Sequence, residues 1–167
     1  IEAFDLGAML GWNWKTADTR ILWMPYYQFG TWMIILSVLF SSALYFLGRK
    51  RNRGALSLAA GLGALLIFTF GHYMHERYMI PALLLILLAY LYYGDRRLLA
   101  AFGGISMTSL LNVLCAFYVV NHPDSRGHVY DVITFIGSLG TVVMAVYLSV
   151  ISVQILALNR ISQPLRL

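Results

Sequence analysis

The chain has 167 residues, 60% of them hydrophobic and 11% charged, with a mean hydropathy of +0.73. Soluble domains carry about 25% charged residues, so this composition excludes an ordinary soluble domain and indicates an all-α integral membrane protein. The net charge of +5 does not point to nucleic acid, because the basic residues gather in short loops between apolar runs, as membrane topology requires.

The chain begins at Ile1 with no basic-then-apolar leader, and it is expected to be part of something longer or a processed product. Residues 1–10 place apolar side chains at near-helical spacing beside Glu2 and Asp5. Trp12, Trp14, Trp23, Tyr26, Tyr27 and Trp32 follow. Such rings collect at headgroup level, where one edge is wet and the other apolar. Residues 1–29 are therefore expected to form an outer-face loop with a short interfacial helix. Trp12 and Trp14 are candidates for stacking on a sugar, with a generic aromatic belt as the competing reading.

Five apolar runs follow, at about 30–47, 55–70, 79–93, 98–120 and 132–158. A helix needs about 17–25 residues to cross the hydrocarbon, so the second and third are short, and their helices are expected to run into 72–78 and break there. Residues 30–158 thus form a five-span bundle and 159–167 a tail. Ser57, Ala60, Gly61 and Ala64, Gly103 and Gly104, and Gly137 and Gly140 mark faces where helices approach closely. The single Cys115 lies inside an apolar run and reads as a small packing residue.

Loop charges orient the bundle. With five spans, Arg49, Lys50, Arg51, Arg53, Arg96, Arg97, Arg160 and Arg166 fall on one side, eight of the twelve basic residues. The other side holds Lys15, Arg20, Arg77 and Arg126 with six of the seven acids: Glu2, Asp5, Asp18, Glu76, Asp124 and Asp131. The excess of Lys and Arg marks the cytoplasmic side. The amino terminus, the 72–78 segment and the 121–131 loop are expected outside, and the carboxy terminus in the cytoplasm.

Between the second and third runs lies Gly71-His72-Tyr73-Met74-His75-Glu76-Arg77-Tyr78-Met79-Ile80-Pro81. On insertion scales a charge at the centre of a membrane helix costs about 2.5–3.5 kcal/mol, so this cluster sits at a boundary, faces a wet cavity or performs chemistry. If the stretch is helical, His72, His75 and Glu76 share one face. Pro81 is tolerated in a first helical turn and favours a helix starting near Met79.

Three readings compete here. The polar residues end two helices; or they bind metal with His122 and His128, although the His-Glu-x-x-His pattern is absent; or they hold an anionic head group. In the last, Arg77 grips a phosphate through parallel hydrogen bonds. A histidine of the cluster can donate to the same oxygens, and a carboxylate can hold that histidine in its correct tautomer. Only this reading uses all the residue types. Ser106, Thr108, Ser109 and Asn112 form a polar stripe on the fourth run, expected to face the bundle interior or a cavity that Tyr78 and Asn112 line.

Met74-His75-Glu76-Arg77-Tyr78-Met79-Ile80-Pro81-Ala82-Leu83 resembles the Met-His-Glu-Arg-Tyr-Leu-Phe-Pro-Ala-Leu signature of bacterial polytopic GT-C-type glycosyltransferases, relatives of the phosphatidylinositol-glycan mannosyltransferases. Glu2-Ala3-Phe4-Asp5-Leu6 and Leu10-Gly11-Trp12-Asn13-Trp14 are similar to the segment preceding it, Asn-Ala-Phe-Asn-Leu … Leu-Gly-x-Asn-Trp. Leu110-Leu111-Asn112 falls where relatives carry Leu-Leu-Asn, and dolichol-linked glucosyltransferases carry a related His-Glu-Lys element. The resemblance covers residues 2–115. Glu2 and Asp5 stand where asparagines are usual, and Gly7 replaces a tryptophan.

The resemblance implies a polyprenyl-phosphate sugar donor (mannose or glucose) and transfer with inversion on the outer face of a bacterial plasma membrane. It places His75, Glu76 and Arg77 near the donor phosphate, with His72 behind them. The general base in such enzymes is an acid in the first outward loop of the whole protein, which this chain does not contain. The expected partners are the donor lipid, the bilayer and an amino-terminal half of the same enzyme. The alternatives are a non-enzymatic membrane subunit or head-group binder and, last, a haem or quinone protein using the histidines.

Overall fold

The computed structural model describes residues 5–10, 20–21, 23–51, 53–72, 74–122 and 132–161. The proposed roles of Trp12, Trp14 and His128, the 123–131 loop and the tail past 161 lie outside the described residues. The chain is helical almost throughout: α1 Leu6–Met9, α2 Tyr26–Gly48, α3 Ala55–Phe70, α4 Ile80–Tyr93, α5 Arg96–Asn121 and α6 Val132–Ser152. A two-residue antiparallel ladder, β1 Arg20–Ile21 with β2 Met24–Pro25, leads into α2. Among the described residues, three helical segments are long and apolar enough to cross a membrane: Tyr26–Gly48, Arg96–Tyr118 and Val132–Ala157.

α3 lies at the centre, packed on α2, α4 and α6, while α5 bridges α4 and α6. Only Leu56 of α3 is exposed. Small side chains make this possible. A Cβ on Gly63 would lie 2.8 Å from Ser41 Oγ of α2, and one on Gly61 would lie 3.2 Å from the backbone nitrogen of Ile86 in α4. Two buried hydroxyls between helices bond back to their own helix, Ser37 to the Met33 carbonyl at 2.7 Å and Thr69 to the Leu65 carbonyl at 2.7 Å. These two therefore carry no unmet polarity into the interface.

The surface is the inverse of a soluble protein's. Leu36, Leu39 and Phe40 of α2, Leu84, Leu88 and Leu91 of α4, Leu110, Leu114 and Phe117 of α5, and Ile133, Ile136 and Val143 of α6 are all exposed. Contiguous apolar surface on this scale marks contact with lipid or another protein.

The turn from α4 to α5 is made by Gly94, whose φ of 64° suits glycine, and by Asp95, whose Oδ1 accepts from the Arg97 backbone N–H at 2.9 Å. α6 ends in a π turn, Val153–Ala157.

Three expectations change. The second run's helix does not continue into 72–78: α3 ends at Phe70, where Gly71 turns the backbone extended. The first long helix begins at Tyr26 rather than near residue 30. The short amino-terminal helix is a single turn, and it does not stand alone: Gly7 and Ala8 are buried and α1 packs on α6 and α3. The Asp5 side chain accepts from the Ala8 N–H at 2.8 Å, which frees a turn of small residues to enter the bundle.

Candidate functional site

Gly71 ends α3 in an extended conformation. His72 then turns toward α2. Its ring occupies the space where a Cβ on Gly30 would stand, and it meets the Tyr26 ring edge-on at 6.4 Å and 74°. Tyr26 is itself buried, with its hydroxyl 2.5 Å from where a Cβ on Gly7 would stand; Asp5 Oδ1 is 3.1 Å from the same point. The first turn of α2 thus ties α1, on one side, to the start of the α3–α4 connection on the other. The aromatic spacing places Tyr26 in a headgroup belt, and nothing in it singles out Gly30. The usable signal was the four-residue spacing of Tyr26 and Gly30, which continues into the buried stripe of Ser37, Ser41, Leu44 and Gly48.

His75 is extended, with φ −107° and ψ 150°. A 3₁₀ turn, Glu76–Met79, follows and leads into α4, with Pro81 in the first turn of that helix. The His75 carbonyl accepts from the Tyr78 N–H at 2.9 Å, and the two rings meet edge-on at 5.5 Å. The condition for His72, His75 and Glu76 to share a helical face is therefore not met, because the backbone leaves helical geometry after Phe70. His72 faces α2 while His75 faces the 3₁₀ turn. The expected contact of Glu76 with His75 lies outside the described residues.

Arg77 is exposed on this turn, and Tyr78 beside it is 48% exposed. Met79 is 0% exposed and anchors the turn, which packs on α5, α3 and α4. The arrangement holds a guanidinium at the surface on a turn fixed from beneath. Such a group offers parallel donors to an anion, and its planar fork suits phosphate.

Asn112 lies at a similar level: it and Tyr78 are equally far along the chain from Asp95 at the α4–α5 turn. It does not share Tyr78's exposure, being 1% exposed. Thr108, Ser109 and Asn112 form the buried stripe on α5, with Ser106 half-buried at its edge. Gly104 against Met144, and a Cβ on Gly140 3.0 Å from Thr108, set the antiparallel register with α6. One turn further on, Asn112 comes level with the buried Thr134, Gly137 and Ser138 of α6. Thr108 donates to the Ile105 carbonyl at 3.0 Å and Thr141 to the Gly137 carbonyl at 3.2 Å. Among the described residues, the Asn112 amide and the Ser138 hydroxyl have no hydrogen-bond partner. A buried unsatisfied group costs about 1–3 kcal/mol, so this seam is polar enough to hold water or a ligand hydroxyl.

Among the described residues, no three His, Cys, Asp or Glu side chains converge as metal ligands. His122, at the end of α5, stacks on Tyr118 at 4.3 Å, and its Nδ1 lies 3.0 Å from the Tyr118 carbonyl oxygen. No known protein family, curated protein or solved structure matches the chain.

Proposed function

We propose that the chain is the carboxy-terminal membrane half of a GT-C-type glycosyltransferase, transferring mannose or glucose from a polyprenyl-phosphate donor on the extracytoplasmic face of a bacterial plasma membrane. The observation that carries this reading is Arg77, exposed on a 3₁₀ turn that buried Met79 pins. In the proposed reaction Arg77 binds the donor phosphate and neutralises the charge that grows on it as the glycosidic bond breaks. Such electrostatic stabilisation is commonly worth about 2.7–4 kcal/mol per donor removed. His75 stands two residues before it in the chain, and in this proposal Glu76 orients His75. His72 plugs into α2 and acts by placing the connection.

The proposal includes five spans, with the amino terminus outside and the carboxy terminus in the cytoplasm. α3, at 16 residues, covers about 24 Å, less than the hydrocarbon thickness; its neighbours α2, α4 and α6 shield it from lipid. A cysteine replacing Arg77 is expected to react with a membrane-impermeant maleimide added outside intact cells, and one replacing Arg51 only after lysis. The reverse pattern removes the proposed orientation.

A second reading, a non-enzymatic head-group binder, draws on the acids. Asp5 and Asp95 both act as helix caps, so neither stands ready as a general base. The deciding measurement is binding of a polyprenyl-phosphate sugar to the purified chain in nanodiscs. Replacing Arg77 by Ala is expected to weaken binding about 10–100-fold, the range for a lost hydrogen bond to a charged group. Equal binding by both proteins removes Arg77 from the donor site, leaves the charged cluster as an interfacial helix end and moves the non-enzymatic reading to the front. If binding holds, Arg77→Lys and Glu76→Gln in the full enzyme are expected to lower turnover with membrane insertion intact; absence of any transferase activity selects the binder.

A further inference from the structure

At the end of the bundle opposite the 3₁₀ turn, three chain segments that are distant in sequence come together. Gly48, ending α2, packs on Leu156 of the π turn, and Gly54, before α3, packs on Tyr92 and Tyr93 at the end of α4. Arg97 binds Asp95 through Nη2 to Oδ2 at 2.7 Å and Nε to Oδ1 at 3.0 Å. The same guanidinium donates to the Gln154 side chain and, at 2.9 Å, to the Arg160 carbonyl. Asp95 is buried, so the acid at this end is already held by Arg97.

Six cations remain exposed around this convergence: Arg49, Lys50, Arg51, Arg53, Arg96 and Arg160. They adjoin exposed hydrocarbon on the same helix ends, Phe46 and Leu47 of α2 and Leu91 and Tyr92 of α4. The Arg49 guanidinium lies 4.7 Å above the Phe46 ring, a charged head held over an apolar stem as at a membrane interface.

We infer that this end is a binding surface for anionic phospholipid headgroups, separate from the donor site and independent of it. The juxtaposition selects the ligand. An occupant must present an anion to the six cations and hydrocarbon to the flanks beside them. A phospholipid does both; a free phosphate or a nucleic acid supplies only the charge. Tertiary contacts enlarge the surface beyond any single loop, since the 49–53 loop, Arg96 and Arg160 share it only because Gly48, Gly54 and Arg97 dock.

The test uses the full chain in mild detergent with phosphatidylglycerol or phosphatidylcholine, counting retained lipids by native mass spectrometry. Each Lys or Arg near an anionic surface is worth about fivefold in affinity. The wild type is expected to favour phosphatidylglycerol by about tenfold or more, and R49Q/R51Q/R53Q to lose that preference. R49K/R51K/R53K retains it, which separates charge from fold, and Arg20→Gln, a cation removed from β1, leaves it unchanged. Equal retention of both lipids by the wild type, or an undiminished preference in the triple glutamine variant, overturns the inference. Release of the lipid by excess inorganic phosphate overturns it as well, by assigning the surface to free phosphate.

Discussion

Gly30 and His72 form a tight single-residue fit at the candidate site. The imidazole fills the volume that any side chain at position 30 would need, and the ring is rigid, so it cannot bend aside. Gly30→Ala is expected to cost about 1–3 kcal/mol, the usual range for overpacking, and to shift the connection that carries Arg77. A double-mutant cycle checks the cause: with His72→Ala in the background, the cost of Gly30→Ala should largely vanish. Thermal unfolding in detergent reads the four proteins, and additive losses would show that the two residues do not share this space. His72 was visible in the sequence as part of a polar cluster, but its partner was not. Nothing in the spacing of residues 72–78 points across to α2.

At the scale of an element, the ends of the helices repay most attention. The second apolar run and α3 coincide at Ala55–Phe70, because glycine stands on both sides and no apolar residue extends the pattern. The third run also became a helix, but its entry is a 3₁₀ turn, where shared helical faces cannot be counted by threes and fours. The start of α5 rests on Asp95, which caps the helix and binds Arg97 at once. Asp95→Ala is expected to cost about 2 kcal/mol, combining a lost cap with a lost charged hydrogen bond. Asp95→Asn keeps the cap and should cost distinctly less. Unfolding of the two variants by the same method settles the order, and equal losses would mean that capping contributes little.

For the molecule as a whole, the decisive property is which apolar surface is inside. Leu62, in the middle of α3, is 0% exposed, whereas Leu39 of α2 is 61% exposed. Leu62→Ala is expected to destabilise the bundle by about 2–5 kcal/mol through transfer loss and the cavity it leaves. Leu39→Ala should stay within about 0.5 kcal/mol, as surface changes do. Titration with a denaturing detergent in mixed micelles measures both, and similar losses would contradict the central position of α3. In the sequence the two residues are indistinguishable, since both sit in leucine-rich runs. The glycines and serines that mark close approach on α2 and α3 were the available clue; which helix they would meet was not.

The sequence by itself determined the helical class and the approximate places where the long helices lie. Lipid offers no hydrogen bonds, so an apolar run must satisfy its own backbone, and the interruptions at the 49–54 loop, at residues 71–75 and at Gly94 and Asp95 mark the ends. Tertiary structure decided what hydropathy leaves undetermined, because lipid and protein interior are alike apolar. It placed α3 at the centre, drew α1 inward against α6, and sent His72 and His75 to different neighbours. It also buried Asn112 while leaving Tyr78 exposed, a difference in environment that the linear pattern does not carry. These outcomes depend on contacts between segments far apart in the chain, where a missing Cβ or a buried methionine sets which surfaces can meet.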